Sequence, residues 1–499
     1  MNYTKLLSAV HHGLKVFHVS VEVDFDGKSV FNEIDIVGLG DTAIKESRKR
    51  VKSAIQNSGF QIPHGKFIVN LSPGDLKKEG SGLDLPIALG VLSSLKVIDL
   101  DESFFALGEL SLNGDILRVK GVLPTLLHLS ETDFDGIIFI PKDNKREAEV
   151  VKGLRVFAAQ NLREIVEFLK GFRKLENIKY RGIGEILNEH DVDFADVKNH
   201  EFAKRALEIA VCGEHNILLK GEPGSGKTML ARRIPTIFPP MSEREVLEVT
   251  KIYSVAGFLE DGLITQRPFR APHHTASPVS IIGGGTSPKP GEVSLAHNGV
   301  LFMDEFPEFR KDVLEALRQP LEDGVVTVSR AKMSVTFPAK FMLVAAMNPC
   351  PCGGGPNCTC TPYDIVRYNK KISGPILDRI DILVEIPRLS FEEFMKKPEG
   401  EKSEKIRDRI ILGREIQRKR FEGTNVRVNS RMSHRMIREH VVLDDRSEDL
   451  LKAYVKRYNM SGRVIDKILK VSRTIADLEG SGRVRFKHVA EALQYRFKE

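Results

Sequence analysis

Nowhere in the 499 residues does an apolar run approach the ~20 residues that a membrane-spanning helix needs. The N-terminal MNYTKLLSAVHHGL also lacks the charged-then-apolar order of a secretion signal. A soluble, cytoplasmic protein with no membrane partner is the expectation. Cysteine is scarce, and five in so long a chain cannot build a disulfide framework. There is no internal repeat and no low-complexity tract, and 41% hydrophobic residues are enough for ordinary buried cores, so disorder is excluded. A dominant charge sign is missing too. The 75 Lys plus Arg against 68 Asp plus Glu leave +7, too mild alone to mark a nucleic-acid binder.

The distribution of that charge is uneven. From Pro387 onward 28 basic residues face 18 acidic ones, a surplus of ten, whereas Met1 to Ile386 carries 47 basic and 50 acidic. The length suggests about three domains at roughly 150 residues each. Alternating stretches at 18–25, 31–38 and 65–72 read as strands, interleaved with helical spacing at 41–58 and 84–95. A strand at 136–141 and a helix at 161–171 close a mixed α/β module over 1–172, followed by a polar, glycine-bearing linker. A second α/β domain, 190–386, holds three short, fully apolar strands of the kind buried in a parallel sheet: HNILLKG, GVLFMDE and KFMLVAAMNP. After Pro387 only helical spacing remains, at 402–421, 431–441, 447–458, 463–478 and 487–497, which predicts a helical bundle over 387–499.

Gly221-Glu222-Pro223-Gly224-Ser225-Gly226-Lys227-Thr228 matches the phosphate-binding pattern GxxxxGK[ST], and it stands where that loop must stand, between an apolar strand and a helix. Glycines let successive N–H groups converge on phosphates, and the helix N-terminus adds positive potential. Lys227 reaches the β- and γ-phosphates of a bound nucleotide, and Thr228 holds Mg²⁺. The strand GVLFMDE ends in Asp304 and Glu305. In isolation that pair reads as a solvated turn. Beside a phosphate loop, Asp304 becomes a second Mg²⁺ contact and Glu305 the base that polarises the attacking water. Asn348, ending the strand KFMLVAAMNP, can orient water against the γ-phosphate.

Cys350, Cys352, Cys358 and Cys360 form C-x-C-x5-C-x-C among Pro, Gly and Asn, directly after that strand. Four thiolates on a tight loop can enclose a tetrahedral structural Zn²⁺. Reduced free thiols or a redox pair are the alternatives. Cys212, on an apolar helical stretch, reads as a small core residue.

The phosphate loop, the DE-terminated strand, the strand-terminal Asn and Gly374-Pro-Ile-Leu-Asp-Arg379-Ile-Asp together resemble an AAA+ ATPase. More narrowly, RPFRAPHHTAS, PGEVSLAHNGVLFMDE, LRQPLEDG and AAMNPCPCG resemble the magnesium-chelatase-like YifB/ComM family. The resemblance implies a ring hexamer in which Arg379 is an arginine finger on the neighbour's ATP and Arg463 a second sensor, with the C-terminal bundle as lid. A surface ion pair is the plain alternative for each arginine. The resemblance also implies a DNA helicase promoting branch migration as single strands are integrated in natural transformation. The rival class is a protein-remodelling motor of the magnesium-chelatase type.

KKEGSGLDLPIALG, ALGELSLNGDILRVKGVLP and IFIPKDNKREAEV are similar to the proteolytic domain of Lon, which works through a Ser-Lys dyad. Laid on that pattern, Gly82 takes the serine position and Leu123 the lysine position, leaving Ser81 and Lys120 as a shifted pair. A Lon-like fold without peptidase chemistry is the expectation.

Three features bear on what the motor acts on. The segment 325–338 reads as a hairpin with Arg330 and Lys332 near its tip, either solvated or gripping a phosphate backbone. The stretches GREIQRKRFEG and NSRMSHRMIREH concentrate the C-terminal charge, as solvated helix faces or as contacts to single-stranded or branched DNA. His273 and His274 lack spaced ligand partners, which favours structural or substrate-loop roles over a metal site.

Overall fold

A computed structural model describes residues 3–29, 33–38, 41–76, 78, 81–184, 190–197, 199–259, 262–285, 288–330, 333–356, 358–388 and 400–496. The chain folds as two compact units, Met1–Glu185 with Glu243–Ile264 and Ser287–Lys289, and Ile186–Ser242 with Thr265–Thr286 and Pro290–Glu499.

The first unit is built on seven strands: β1 (Tyr3–His12), β2 (Lys15–Asp26), β3 (Glu33–Val37), β4 (Lys66–Ser72), β5 (Phe104–Ala106), β6 (Ile137–Pro141) and β7 (Arg155–Ala159). Their spatial order is β3-β4-β2-β1-β5-β6-β7. The β1–β2 and β2–β4 pairs are antiparallel, and the remaining pairs are parallel. Strand alternation sends Leu6 and Val10 to one apolar cluster and Leu7 and Ala9 to another, so the sheet is covered on both faces. The helix Asp84–Ser94 is buried along its whole length.

Two segments depart from the sequence expectation here. The stretch after residue 172, expected as a linker, is partly tied to this unit. Ile178 N–H donates to Val156 O at 2.8 Å, Arg181 N–H to Glu149 O at 2.7 Å, and the Asn177 side chain accepts from Val156 N–H at 3.0 Å. An edge strand offers unpaired backbone groups to any passing chain, whatever its composition. The second segment is Glu243–Ile264, which lies within the expected range of the ATPase domain but folds with the first unit. Its helix, Glu243–Ala256, brings Ser254 to the buried Glu147: the Ser254 hydroxyl donates to Glu147 Oε2 at 2.8 Å and accepts from Gly121 N–H at 3.1 Å. Glu147 also accepts from Leu123 N–H at 2.9 Å and from Asn144 Nδ2 at 2.6 Å. Glu147→Leu would strand these donors without partners, and a loss of about 3 kcal/mol is expected. Urea denaturation of the full chain measures it, and a change below about 0.5 kcal/mol, the size of an ordinary surface effect, would remove Glu147 as the anchor of this segment.

The second unit carries β8 (Ile217–Gly221), β9 (Phe269–Arg270), β10 (Val300–Met303), the hairpin β11 (Val325–Arg330) and β12 (Met333–Pro338), then β13 (Met342–Met347) and β14 (Ile382–Ile386). Five of these form a wholly parallel sheet in the order β9-β10-β13-β8-β14. Strands β10 and β13 are buried at every residue, which is why they read as unbroken apolar runs. The C-terminal helices are Ser403–Arg420, His434–His440, Asp445–Tyr458, Gly462–Leu478 and Phe486–Gln494. The sheet and these helices share one core, in which Ile217, Leu219, Val344 and Val384 join Ile468, Val471, Ile475 and Val489. The mixed α/β architecture with a parallel central sheet and a helical C-terminal region therefore matches the sequence expectation.

In the hairpin, Arg330 is the last residue of β11 and opposes Met333. Lys332 lies outside the described residues. No helix among the described residues is long and apolar enough to cross a membrane.

Candidate functional site

Because the five strands are parallel, their C-terminal ends share one edge, and the residues that follow them converge there. Strand β8 runs into the loop Gly221–Thr228, and the helix Lys227–Ile237 starts from Gly226. Gly224 and Gly226 adopt φ of +76° and +89°, left-handed values that side chains resist. The Lys227 ammonium donates to the carbonyls of Gly221 at 2.6 Å and Glu222 at 2.8 Å, and to Asn348 Oδ1 at 3.3 Å. Burial lowers its pKa, while the Asp304 carboxylate opposes the shift. Among the described residues the buried Ser225 hydroxyl has no hydrogen-bond partner.

From the end of β10, Asp304 Oδ2 accepts from the Thr228 hydroxyl at 2.8 Å. Glu305 follows with φ +50°, a left-handed strain that turns its carboxylate away from the strand direction. That carboxylate meets His274 Nδ1 at 2.9 Å, and the His274 ring lies tilted against His273 with centroids 4.2 Å apart. Thr228, Arg232, Pro272, His273, His274, Asp304 and Glu305 line a cleft of about 270 Å³. The structure thus brings together Lys227, Thr228, Asp304, Glu305 and Asn348. A hydroxyl beside a carboxylate next to a phosphate loop is an oxygen donor set suited to Mg²⁺.

Sequence reasoning did not pair His274 with Glu305. The two are far apart in the chain and meet only because β9 and β10 are parallel neighbours. No local spacing could have shown it.

Arg379 and Arg463 stand apart from this cluster. Among the described residues neither has a hydrogen bond or ion pair to Lys227, Thr228, Asp304, Glu305 or Asn348. Arg379 donates to Pro375 O at 2.7 Å and pairs with the Glu322 carboxylate. The exposed Arg463 approaches Asp378, the residue before Arg379, at 3.5 Å. The turn Leu377–Ile380 is clamped by Lys467 of a C-terminal helix and by Asn216. Lys467 Nζ donates to Ile380 O at 3.1 Å and Leu377 O at 3.4 Å, and Asn216 Nδ2 donates to Arg379 O at 2.8 Å. Burial pushes the Lys467 ammonium down to about 8. Lys467 is a second residue that sequence reasoning missed, since a lone lysine in a helical run carries no signal.

The four clustered cysteines are free thiols whose Sγ atoms all lie within 4.8 Å of one another. Three of the separations are 3.4, 3.6 and 3.5 Å. A tetrahedral Zn²⁺ with bonds of about 2.3 Å needs sulfurs about 3.8 Å apart, so the residues present fit such an ion. The Gly354 N–H is the first of the groups that hold the Cys352 thiol down to about 6, while burial pushes Cys350 up to about 12. Cys212 is fully buried and pushed up to about 12 by that burial, in keeping with a core residue.

In the first unit, the Ser81 hydroxyl donates to the Glu109 carboxylate, while Lys120 lies against Gly257. Among the described residues no hydrogen bond joins Ser81 to Lys120. Leu123 is fully buried, and a Cβ at Gly82 would touch only Val119.

A phosphate loop, an acidic strand end and a polar strand end on one edge of a parallel sheet, joined to a helical C-terminal region, define an AAA+ ATPase. Three family descriptions cover most of the chain: magnesium chelatase, subunit ChlI, over 193–394; subunit ChlI of Mg-chelatase over 21–144; and its C-terminal part over 400–496. The chain is 41% identical to the competence protein ComM of Haemophilus influenzae, over 99% of its own length and 98% of that protein. It is also 41% identical to YifB of Escherichia coli, over 93% of its length and 91% of that protein. A more distant relative is the probable DNA helicase MCM9 of Oryza sativa, 22% identical over 54% of this chain and 37% of that protein. The chain belongs to the YifB/ComM family of magnesium-chelatase-like AAA+ ATPases.

Proposed function

We propose that this chain is an ATP-driven ring motor, a hexamer acting on single-stranded or branched DNA in the cytoplasm. The observation that carries the motor reading is the convergence of Lys227, Thr228, Asp304, Glu305 and Asn348 on one sheet edge. In this reading the loop Gly221–Thr228 cradles the phosphates of ATP, and Lys227 leaves its carbonyl partners for the β- and γ-phosphates. Thr228 and Asp304 hold Mg²⁺, which when bound offsets the phosphate charge. Glu305 takes a proton from the attacking water, and Asn348 orients that water. Among the described residues Arg379 makes no bond to its own subunit's cluster, which supports its role as an arginine finger on a neighbour's ATP, with Arg463 as the second sensor. The three domains would then be a Lon-like module without peptidase chemistry over 1–172, the ATPase domain over 190–386 and a helical lid over 387–499. The cysteine cluster is proposed as a structural Zn²⁺ site, in which the ion ties four points of the loop together.

DNA is favoured over a protein substrate by the names of two relatives, a competence protein and a probable DNA helicase, and by the C-terminal basic surplus. The fold narrows that surplus. Arg414 is paired with Glu214 and Arg420 with Asp477, whereas Arg418, Lys419, Arg435 and Arg438 are exposed. Forked DNA should therefore raise ATP turnover several-fold at low salt, and the gain should fall steeply with added salt as phosphate contacts release their counterions. Exchanging those four exposed cations for Gln should flatten that salt slope. Turnover unmoved by forked or single-stranded DNA, with no strand displacement, would transfer the motor to the protein-remodelling class.

A further inference from the structure

The cysteine loop rests against the phosphate loop. At Gly353 (φ +99°) a Cβ would lie 2.8 Å from Pro223 Cγ, and at Gly355 (φ +86°) 3.0 Å from Glu222 Oε2. Pro223 and Glu222 belong to the phosphate loop itself. The cysteine loop also begins two residues beyond Asn348, whose amide oxygen accepts from Lys227. It therefore borders the nucleotide cradle at two places, beside the loop and at the strand end.

The composition of the loop offers little apolar packing to hold it there. Cys350-Pro-Cys-Gly-Gly-Gly-Pro-Asn-Cys-Thr-Cys360 carries no large apolar side chain, and of the four cysteines only Cys350 is buried. Three successive glycines make ordering such a segment entropically costly. A four-coordinate ion would supply the missing constraint by joining positions 350, 352, 358 and 360, releasing thiol protons to solvent as the thiolates bind.

We infer that a divalent metal ion, Zn²⁺, held by Cys350, Cys352, Cys358 and Cys360 acts as a buttress for the phosphate loop, so that nucleotide affinity depends on the metal. The inference rests on the proposed zinc reading and adds a consequence to it. The ion touches no phosphate. It holds the glycine turn on Pro223 and Glu222 and fixes the start of the segment after Asn348, which keeps the cradle preformed for its ligand.

The experiment uses the full chain purified without chelator and follows two readouts, zinc content and affinity for a fluorescent ADP analogue. About one zinc per chain is expected. Stripping it with chelator under reductant should weaken nucleotide binding by about tenfold, the cost of reordering one or two loop residues, and Zn²⁺ alone should restore it. Protein that holds no zinc and takes none up when reduced would overturn the metal reading. Zinc that is present but can be removed with no change in affinity would overturn the buttress and leave the metal reading standing. If stripping unfolds the chain, Gly353→Val decides. Its side chain collides with Pro223, so it should keep zinc and helical content while losing nucleotide affinity, and wild-type affinity in that variant overturns the contact.

Discussion

Glu305→Gln is expected to bind ATP as the wild type does and to hydrolyse it about 10²- to 10⁴-fold more slowly, the range that one general base contributes. The change keeps the shape and hydrogen-bonding reach of the side chain and removes only its ability to accept a proton. The structure favours this outcome because Glu305 does not form the phosphate cradle. Its carboxylate faces the cleft and His274, while Asp304 occupies the position against Thr228. Binding and turnover should therefore separate in this variant. Phosphate release measured alongside fluorescent-nucleotide binding checks it, and turnover within tenfold of wild type would remove Glu305 as the base.

Arg379→Ala is expected to lose hydrolysis by about 10³-fold or more, as removal of an arginine finger does elsewhere, again with ATP binding intact. The guanidinium is held on a turn clamped by Lys467 and Asn216 and, among the described residues, has no bond to its own phosphate-loop cluster. In the proposed ring, a side chain so placed would act at another subunit's site. Mixing supplies the decisive test. Each variant alone should turn over only slowly, yet in a mixed ring an intact Arg379 from one subunit would face an intact Glu305 of the next, and activity should reappear. Full turnover by Arg379→Ala alone would make Arg379 a surface ion-pair residue. If both single variants are inactive and their mixture stays so, the finger does not act between subunits.

Elements with strong periodicity were legible to within a few residues. The helices expected at 84–95 and 463–478 form at Asp84–Ser94 and Gly462–Leu478, and the three apolar runs became β8, β10 and β13. The phosphate loop was legible because its chemistry is contiguous: eight adjacent residues carry the glycines, the lysine and the threonine. Less was legible where partners come from distant segments. The polar stretch after residue 172 reads as a linker, yet it bonds to the backbone of β7, and backbone groups leave no mark on composition. The helix Glu243–Ala256 has ordinary amphipathic spacing, and spacing alone does not say which unit will accept its apolar face.

Charge shows the same division. Composition established a C-terminal excess of ten positive charges, but not which of them reach solvent. Folding commits Arg414 and Arg420 to Glu214 and Asp477 and leaves Arg418 and Lys419 exposed on the same helix. Likewise, the residues Asp304, Glu305 and Asn348 were identifiable as strand ends, because a buried parallel strand reads as an apolar run and stops where polarity returns. Their convergence on one edge, the meeting of Glu305 with His274, the clamping of the Leu377–Ile380 turn by Lys467 and the seating of the cysteine loop on Pro223 were decided by tertiary structure alone. Each joins groups that only the order and direction of the strands and the packing of the C-terminal helices bring within a few ångströms, and a one-dimensional pattern carries no record of those distances.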